Sequence, residues 1–342
     1  MQDDKSFNPD SLTFRALTEL PDIIALAPEW DAVLELSNCN RAFSSSKWFI
    51  ATCRHHVALQ PYVIIARRGE SLAGILPLVL TDTAQVAAFP NYLTDYSDAI
   101  AAVDDSAAVS GLLHYALSAP NGYQQLVLSN IRRDSHCLRA MQMIEPRGWI
   151  EEPFREIVLC YYLQLPASHD AFLKTKGSRF RKRLKRLERL ADKSNLAARE
   201  LEPDSFPPRL LPEAFLSLHL QRQNIKSCFA SAAAQSFVEE VVPALFQERM
   251  IRACALVDGD KLVAIDLYTM GSKSLCAWNG GFLAEAEHCS PGKLLINAGI
   301  KLACALRLEE FDFMRGPEAY KTSWSNKTRS IGHVELKTTN QT

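Results

Sequence analysis

The chain has 342 residues, 47% of them hydrophobic and 23% charged, which suits about two globular domains with full cores and needs no metal or disulfide to hold them. The formal net charge is −1, and no apolar run approaches the ~18 residues that a membrane span requires. The polar start Met1-Gln2-Asp3-Asp4-Lys5 lacks the pattern of a secretory signal, and nine cysteines without C-x-x-C spacing indicate neither a disulfide framework nor a zinc site, so reducing cytoplasm is the expected compartment.

Short β signals alternate with longer helical patterns, which predicts a mixed α/β architecture. From Tyr62 to Leu78 the sequence reads strand, tight turn at Arg68-Gly69, strand. Asp104-Asp105-Ser106 then opens a helix, and Gln125-Leu-Val-Leu128 is a further short strand. Arg252 to Tyr268 repeats the hairpin, with Gly259-Asp260-Lys261-Leu262 aligning on Gly69-Glu70-Ser71-Leu72. A glycine in such a turn supplies the positive φ that a tight hairpin needs. Phe311-Asp-Phe-Met314 follows at the place that Gln125 to Leu128 holds in the first half. This internal repeat predicts duplication of one fold, with an N-terminal domain over 1–165 and a C-terminal domain over 166–342.

Between the repeats lies a charged anomaly. Lys174 to Lys193 carries ten Lys and Arg against Glu188 and Asp192, a net +8 that leaves −9 on the rest of the chain. Phe180, Leu184 and Leu187 give this segment the apolar stripe of a helix, and Arg179, Arg181, Lys182, Arg183, Lys185, Arg186 and Arg189 cover the remainder. Such a helix, over 179–189, is either a solvated face or a surface for a nucleotide tail, an RNA backbone or an anionic membrane.

Candidate chemistry concentrates in the second half. Ser290-Pro291-Gly292-Lys293 opens a helix with proline at its first position and a glycine that admits close approach, so it serves either as a cap or as an anion site for a pyrophosphate. The strand Phe311 to Met314 ends in a loop dense with polar groups, Arg315, Glu318, Tyr320, Lys321 and Trp324. Alternation turns Asp312 away from Phe311 and Phe313. Arg315 suits a carboxylate or phosphate, Tyr320 a leaving group in need of a proton, and Lys321 an anion. Asp266 stands within a β run, where a carboxylate is costly unless bonded or turned to a cleft. His219 reads as a packed histidine in an apolar helix. No nucleophile elbow, Walker A loop, HExxH or dinucleotide fingerprint occurs.

These residues together resemble the BcsL/CelD-type acetyltransferase group, proteins of the GNAT superfamily associated with cellulose and exopolysaccharide genes. The resemblance rests on Ser178-Arg179-Phe180-Arg181-Lys182, the hairpin at Gly259, Ser290-Pro291-Gly292-Lys293-Leu294-Leu295 and Phe311-Asp312-Phe313-Met314-Arg315-Gly316 with Tyr320-Lys321 and Trp324. In the first half it rests on Trp30, Trp48, Gly74 to Leu78 and Asn91 to Asp98. It implies a tandem GNAT fold related to the Fem-type aminoacyltransferases, with a degenerate N-terminal copy. It also implies a donor, acetyl-CoA or another acyl-CoA, whose pantetheine lies between two splayed strands, Leu275 to Asn279 and Phe311 to Met314. The donor's pyrophosphate would sit at Ser290, Pro291, Gly292 and Lys293. This loop carries one glycine in place of the Q/R-x-x-G-x-G/A pattern, so fewer backbone amides face a pyrophosphate.

The expected reaction is acyl transfer to an amine or hydroxyl, on a small molecule, a sugar or an exopolysaccharide precursor. Asp266, Glu318, Tyr320 and Lys321 would be catalytic, and Asp312, Arg315, Trp278 and Trp324 would touch substrate, without a metal. Backbone amides near Trp278-Asn279 would hold the oxyanion. The alternatives are a Fem-like transferase using aminoacyl-tRNA, and a non-catalytic component of a polysaccharide-synthesis assembly.

Overall fold

A computed structural model describes residues 11–81, 84–118, 122–223 and 227–339; the polar start Met1 to Lys5 lies outside them. The chain forms two compact units, one of Met1–Cys39, Phe43–Ile157 and Ile331–Thr342 and the other of Asn40–Ala42 and Val158–Ser330.

In chain order the first run of elements is β1 (Leu12–Leu17), α1 (Leu20–Glu35), α2 (Ser46–His55), β2 (Gln60–Arg68), β3 (Ser71–Thr81), β4 (Val86–Ala88), β5 (Ile100–Ala101), α3 (Ser106–Leu117), β6 (Gln125–Arg132), α4 (His136–Met141) and β7 (Trp149–Gln164). The second run opens with α5 (His169–Thr175) and α6 (Ser178–Lys193). It continues with β8 (Leu196–Leu201), α7 (Leu211–Gln223), α8 (Ala232–Gln247), β9 (Ile251–Asp258), β10 (Lys261–Met270), β11 (Ser274–Phe282), α9 (Pro291–Ala305), β12 (Glu310–Arg315), α10 (Ala319–Trp324) and β13 (Lys327–Thr338).

Apart from β5 and the pair α5–α6, both runs follow one order, β-α-α-β-β-β-α-β-α-β. The pairing repeats as well. The first unit has strand order β1-β2-β3-β4-β6-β13, and the second has β8-β9-β10-β11-β12-β7. Each contains one parallel pair, β4 with β6 and β11 with β12, each over three residue pairs, while the other neighbours along these two orders run antiparallel. The duplication expected from the hairpins is therefore present in topology. A single cut at 165 differs from this division, in which the second unit begins at Val158 and includes Asn40–Ala42, and residues 331–337 of β13 bond to β6.

Local chemistry explains the elements. Gly69 and Gly259 take φ of +59° and +58° and close the two hairpins. Ser45, Asp105, Ser135, Ser168 and Ser231 cap their helices by accepting the backbone N–H three residues on. On α6, Leu184, Leu187 and Ala191 are buried and the cations face outward. The core beneath it joins Phe172, Tyr268, Leu295, Ile300, Phe311 and Trp324 on one face of the second sheet. Among the described residues, no helix is long and apolar enough to cross a membrane.

Candidate active site

The site begins with a ladder that stops early. β11 and β12 pair only through Ser274↔Glu310, Leu275↔Phe311 and Cys276↔Asp312. β11 then stays with β10 as far as Phe282↔Ala264, while β12 stays with β7 to Arg315↔Cys160. Two irregularities part them. In β11 the register against β10 slips so that Leu267 faces Asn279 and Tyr268 faces Ala277, leaving Trp278 as the extra residue of a bulge. A bulge bends its strand and strengthens its twist. In β12 the buried Asp312 accepts the Met314 N–H at 2.8 Å, and Met314 takes a left-handed φ of +60°. The facing backbone edges of 277–282 and 313–315 are thereby withdrawn from each other's ladder.

A row of paired residues leads across the sheet to this opening. Glu200 faces Cys254, Cys254 faces Asp266, and Asp266 faces Gly280 on the lip of β11. Directly opposed residues share a face of a sheet, so Asp266 and Gly280 do too. The carboxylate lies where a side chain on Gly280 would go, since a Cβ there would meet Asp266 Oδ1 at 1.8 Å. Gly281 is pressed on the other face, where a Cβ would meet the His219 backbone nitrogen at 2.3 Å. The close packing on both faces of this glycine pair is not apparent from the sequence alone.

Beneath the row, Tyr268 Oη donates to the Leu295 carbonyl at 2.8 Å. Its phenol is pushed well above the ordinary tyrosine range, first by burial and then by the neighbouring Asp266, Cys254 and Tyr320. Asp266, Tyr268 and Tyr320 thus share one electrostatic neighbourhood.

The loop after β12 sorts into exposed and buried groups. Arg315, Glu318 and Tyr320 are exposed, Tyr320 by 40%. Lys321 is not an outward anion anchor. Its side chain is 3% exposed, and its ammonium is 2.8 Å from Glu318 Oε2 and donates to the carbonyls of Met314 and Arg315. It ties the loop together. Trp324 is buried, stacked on Phe172 at 6.2 Å and edge-on to Phe180 at 4.9 Å. Trp278 is buried likewise, stacked on Phe215 at 6.1 Å. Asp312, Trp278 and Trp324, expected to touch substrate, and Lys321, expected to be catalytic, are all buried against protein partners.

His219 is fully engaged, as its apolar helix suggests. Nδ1 lies 2.9 Å from the Gly280 carbonyl and Nε2 2.9 Å from Ser227 Oγ. A carbonyl only accepts, so Nδ1 carries a proton, and in the neutral ring Nε2 accepts from the Ser227 hydroxyl.

Ahead of α9, a 3-10 turn over Ala284–Cys289 leads to Ser290, which sits left-handed at φ 53° and ψ 62° without capping the helix through its side chain. Cys289 Sγ and Ser194 Oγ each lie 3.0 Å from His288 Nε2, which fastens the turn to the end of α6. Lys293 is half-buried, and its ammonium is pulled below the ordinary lysine range by burial and by the like charge of Arg183. Among the described residues no group of three or more His, Cys, Asp or Glu is placed to hold a metal.

The fold has known counterparts. Residues 178–322 match the family described as an acetyltransferase (GNAT) domain. The matched stretch holds α6, the parting strands and the loop with Tyr320. Solved structures extend the likeness over both units. FemX superposes with a TM-score of 0.62 at 13% identity, covering 90% of this chain and 95% of that one. The C-terminal domain of a putative lysylphosphatidylglycerol synthetase from Agrobacterium fabrum gives 0.60 at 12% identity, covering 93% and 92%. L-PGS from Bacillus licheniformis gives 0.60 at 11%, covering 92% of each. At these identities the likeness is one of fold. No curated protein matches the sequence at a significant level.

Proposed function

We propose that the GNAT unit is an acyltransferase, moving an acyl group from an activated carrier to an amine or hydroxyl. The observation that carries this reading is the parting of β11 and β12 after Cys276 and Asp312, with Asp266 of β10 facing Gly280 on one lip and Tyr320 in the helix that follows the other. Parted parallel strands leave backbone donors and acceptors for an extended ligand to pair with.

The chain's groups then have distinct tasks. Asp266, directly or through water, takes the proton of the incoming amine or hydroxyl as it attacks the acyl carbonyl carbon. Backbone amides at Trp278 and Asn279 hold the charge that develops on the carbonyl oxygen. As the bond from carbon to the carrier breaks, Tyr320 gives its proton to the departing atom. Exposed Arg315 and Glu318 orient the acceptor, for which a sugar or an exopolysaccharide precursor is the reading that the BcsL/CelD-type resemblance supports. An acyl-CoA is the donor this reading favours. A second reading keeps the chemistry and changes the carrier to aminoacyl-tRNA; the exposed cations of α6 favour it, as does the fold shared with FemX. A non-catalytic role leaves the Asp266–Gly280 fit without a purpose.

Thermal unfolding with acetyl-CoA, longer acyl-CoAs and free CoA tests this. A ligand at 100 times its Kd stabilises the native state by about 2.7 kcal/mol, so at least one thioester should raise Tm by several degrees. No shift with any thioester, together with salt-sensitive RNA binding, selects the second reading. No response to thioesters or RNA overturns both.

A further inference from the structure

The loop that carries Tyr320 leaves from β12 and returns to β13, and one buried cation joins its two ends. Glu310 and Asp312 stand two apart on β12, so both turn to the face that Phe311 turns away from. Asp312 divides its oxygens between two tasks. Oδ1 accepts the Met314 N–H, and Oδ2 lies 3.8 Å from Arg329 Nε. The same guanidinium pairs with Glu310 Oε2 and lies over the Tyr162 ring, 3.8 Å from its centroid. Tyr162 is the residue of β7 directly opposed to Asp312. The Arg329 side chain is 11% exposed, so these contacts hold it inside the protein at the point where β11 and β12 part.

Between Asp312 and Arg329 the chain is fastened on both limbs. Lys321 holds the outgoing limb through the carbonyls of Met314 and Arg315. Asn326 holds the returning limb, donating its N–H to the Tyr162 carbonyl at 3.2 Å and accepting the Gln164 N–H on Oδ1 at 2.9 Å. Arg329 closes the ring, because it ties the strand before the loop to the strand after it. Closure matters at Met314, whose φ of +60° is a strained conformation that persists only where the surroundings over-determine it. Removing the guanidinium takes the ion pair from a carboxylate that is 2% exposed. That carboxylate must then turn toward water or take a proton, and a neutral carboxyl is the weaker acceptor for the Met314 N–H. Either change loosens the bend from which Arg315, Glu318 and Tyr320 are aimed.

We infer that Arg329 is a positioning residue for Tyr320, acting through Asp312 and the bend at Met314 to hold α10 where the Tyr320 hydroxyl meets the leaving atom. The inference rests on the acyl-transfer reading with Tyr320 as the acid.

Steady-state kinetics with the thioester that raises Tm tests it, on the whole chain and on Arg329→Gln, Arg329→Lys, Tyr320→Phe and the double variant of Arg329→Gln with Tyr320→Phe. Arg329→Gln should lower kcat by about 10- to 100-fold, the range for a misplaced reacting group, with the donor KM within about twofold of the whole chain's. Arg329→Lys should recover most of that loss, since an ammonium there still pairs with Glu310 and Asp312. In the Tyr320→Phe background the same Arg329→Gln change should lower kcat by no more than about twofold, because no proton remains to be misplaced. A role in folding alone would not produce that non-additivity. If Arg329→Gln does not fold, Asp312→Asn takes its place, since it keeps an acceptor for the Met314 N–H and removes the charge that Arg329 pairs with. Its loss of kcat should likewise vanish in the Tyr320→Phe background. Losses that multiply with that of Tyr320→Phe overturn the inference, as does wild-type kcat in Arg329→Gln, and in both cases the acyl-transfer reading stands. Wild-type kcat in Tyr320→Phe removes the acid assignment, and the inference falls with it.

Discussion

Tyr320→Phe should lower kcat by about 100-fold or more, the range for loss of a positioned general acid, with KM and Tm nearly unchanged. The ring is 40% exposed, and substitutions at such sites usually change stability by no more than about 0.5 kcal/mol. What is lost is the proton for the leaving group, so a carrier whose leaving atom is a better anion should suffer less. Lys321→Met, one residue on, should behave in the opposite manner. It removes a buried ammonium from the Met314 and Arg315 carbonyls and from Glu318, at a cost of about 2–4 kcal/mol. Tm and activity should fall together. Thermal unfolding beside steady-state kinetics separates the two. If Lys321→Met raises KM at constant Tm, the ammonium contacts substrate and its assignment to the framework is wrong. If Tyr320→Phe keeps wild-type kcat, the leaving group takes its proton elsewhere.

The second large effect is expected at Gly280. A Cβ there would lie 1.8 Å from Asp266 Oδ1 and 2.8 Å from the Ile265 carbonyl, so Gly280→Ala must move the carboxylate. Overpacking of this kind costs about 1–3 kcal/mol. The kinetic loss should approach that of Asp266→Asn, about 100-fold or more for a general base. The double variant should be little worse than either single one, because both remove the same group from the same place. Gly281→Ala, which meets the α7 backbone on the other face, should instead lower Tm without a selective loss of kcat in the protein that remains folded. Full activity in Gly280→Ala would show that the placement of Asp266 does not matter to catalysis.

Much of the fold can be read along the chain because its signals are local. Arg68-Gly69 and Asp258-Gly259 between apolar runs mark hairpins, and the stripe of Leu184 and Leu187 marks α6. The site is less legible because its decisive features depend on register. Trp278 is an extra residue only relative to Leu267 and Tyr268 on the adjoining strand. The left-handed turn at Met314 depends on Asp312 reaching a backbone N–H two residues on, which alternation alone does not show. Gly280 and Gly281 read as ordinary small residues until Asp266 and α7 are placed on their two faces. Lys321 misleads because a lysine in a polar loop is ordinarily exposed, whereas here three acceptors converge on it. The +8 run is plain in sequence, but only folding shows that three of its cations share a groove with Lys293 and that its two acidic residues do not.

The central claim is that the acyl carrier occupies the gap between β11 and β12. Amide hydrogen exchange, with and without the carrier that raises Tm, tests it most directly. Protection should appear at 277–282 and 313–315, where the two strands leave each other's ladder, and at the start of α9. Protection confined to other strands, or to the first unit, with the exchange of 277–282 unchanged, would contradict it.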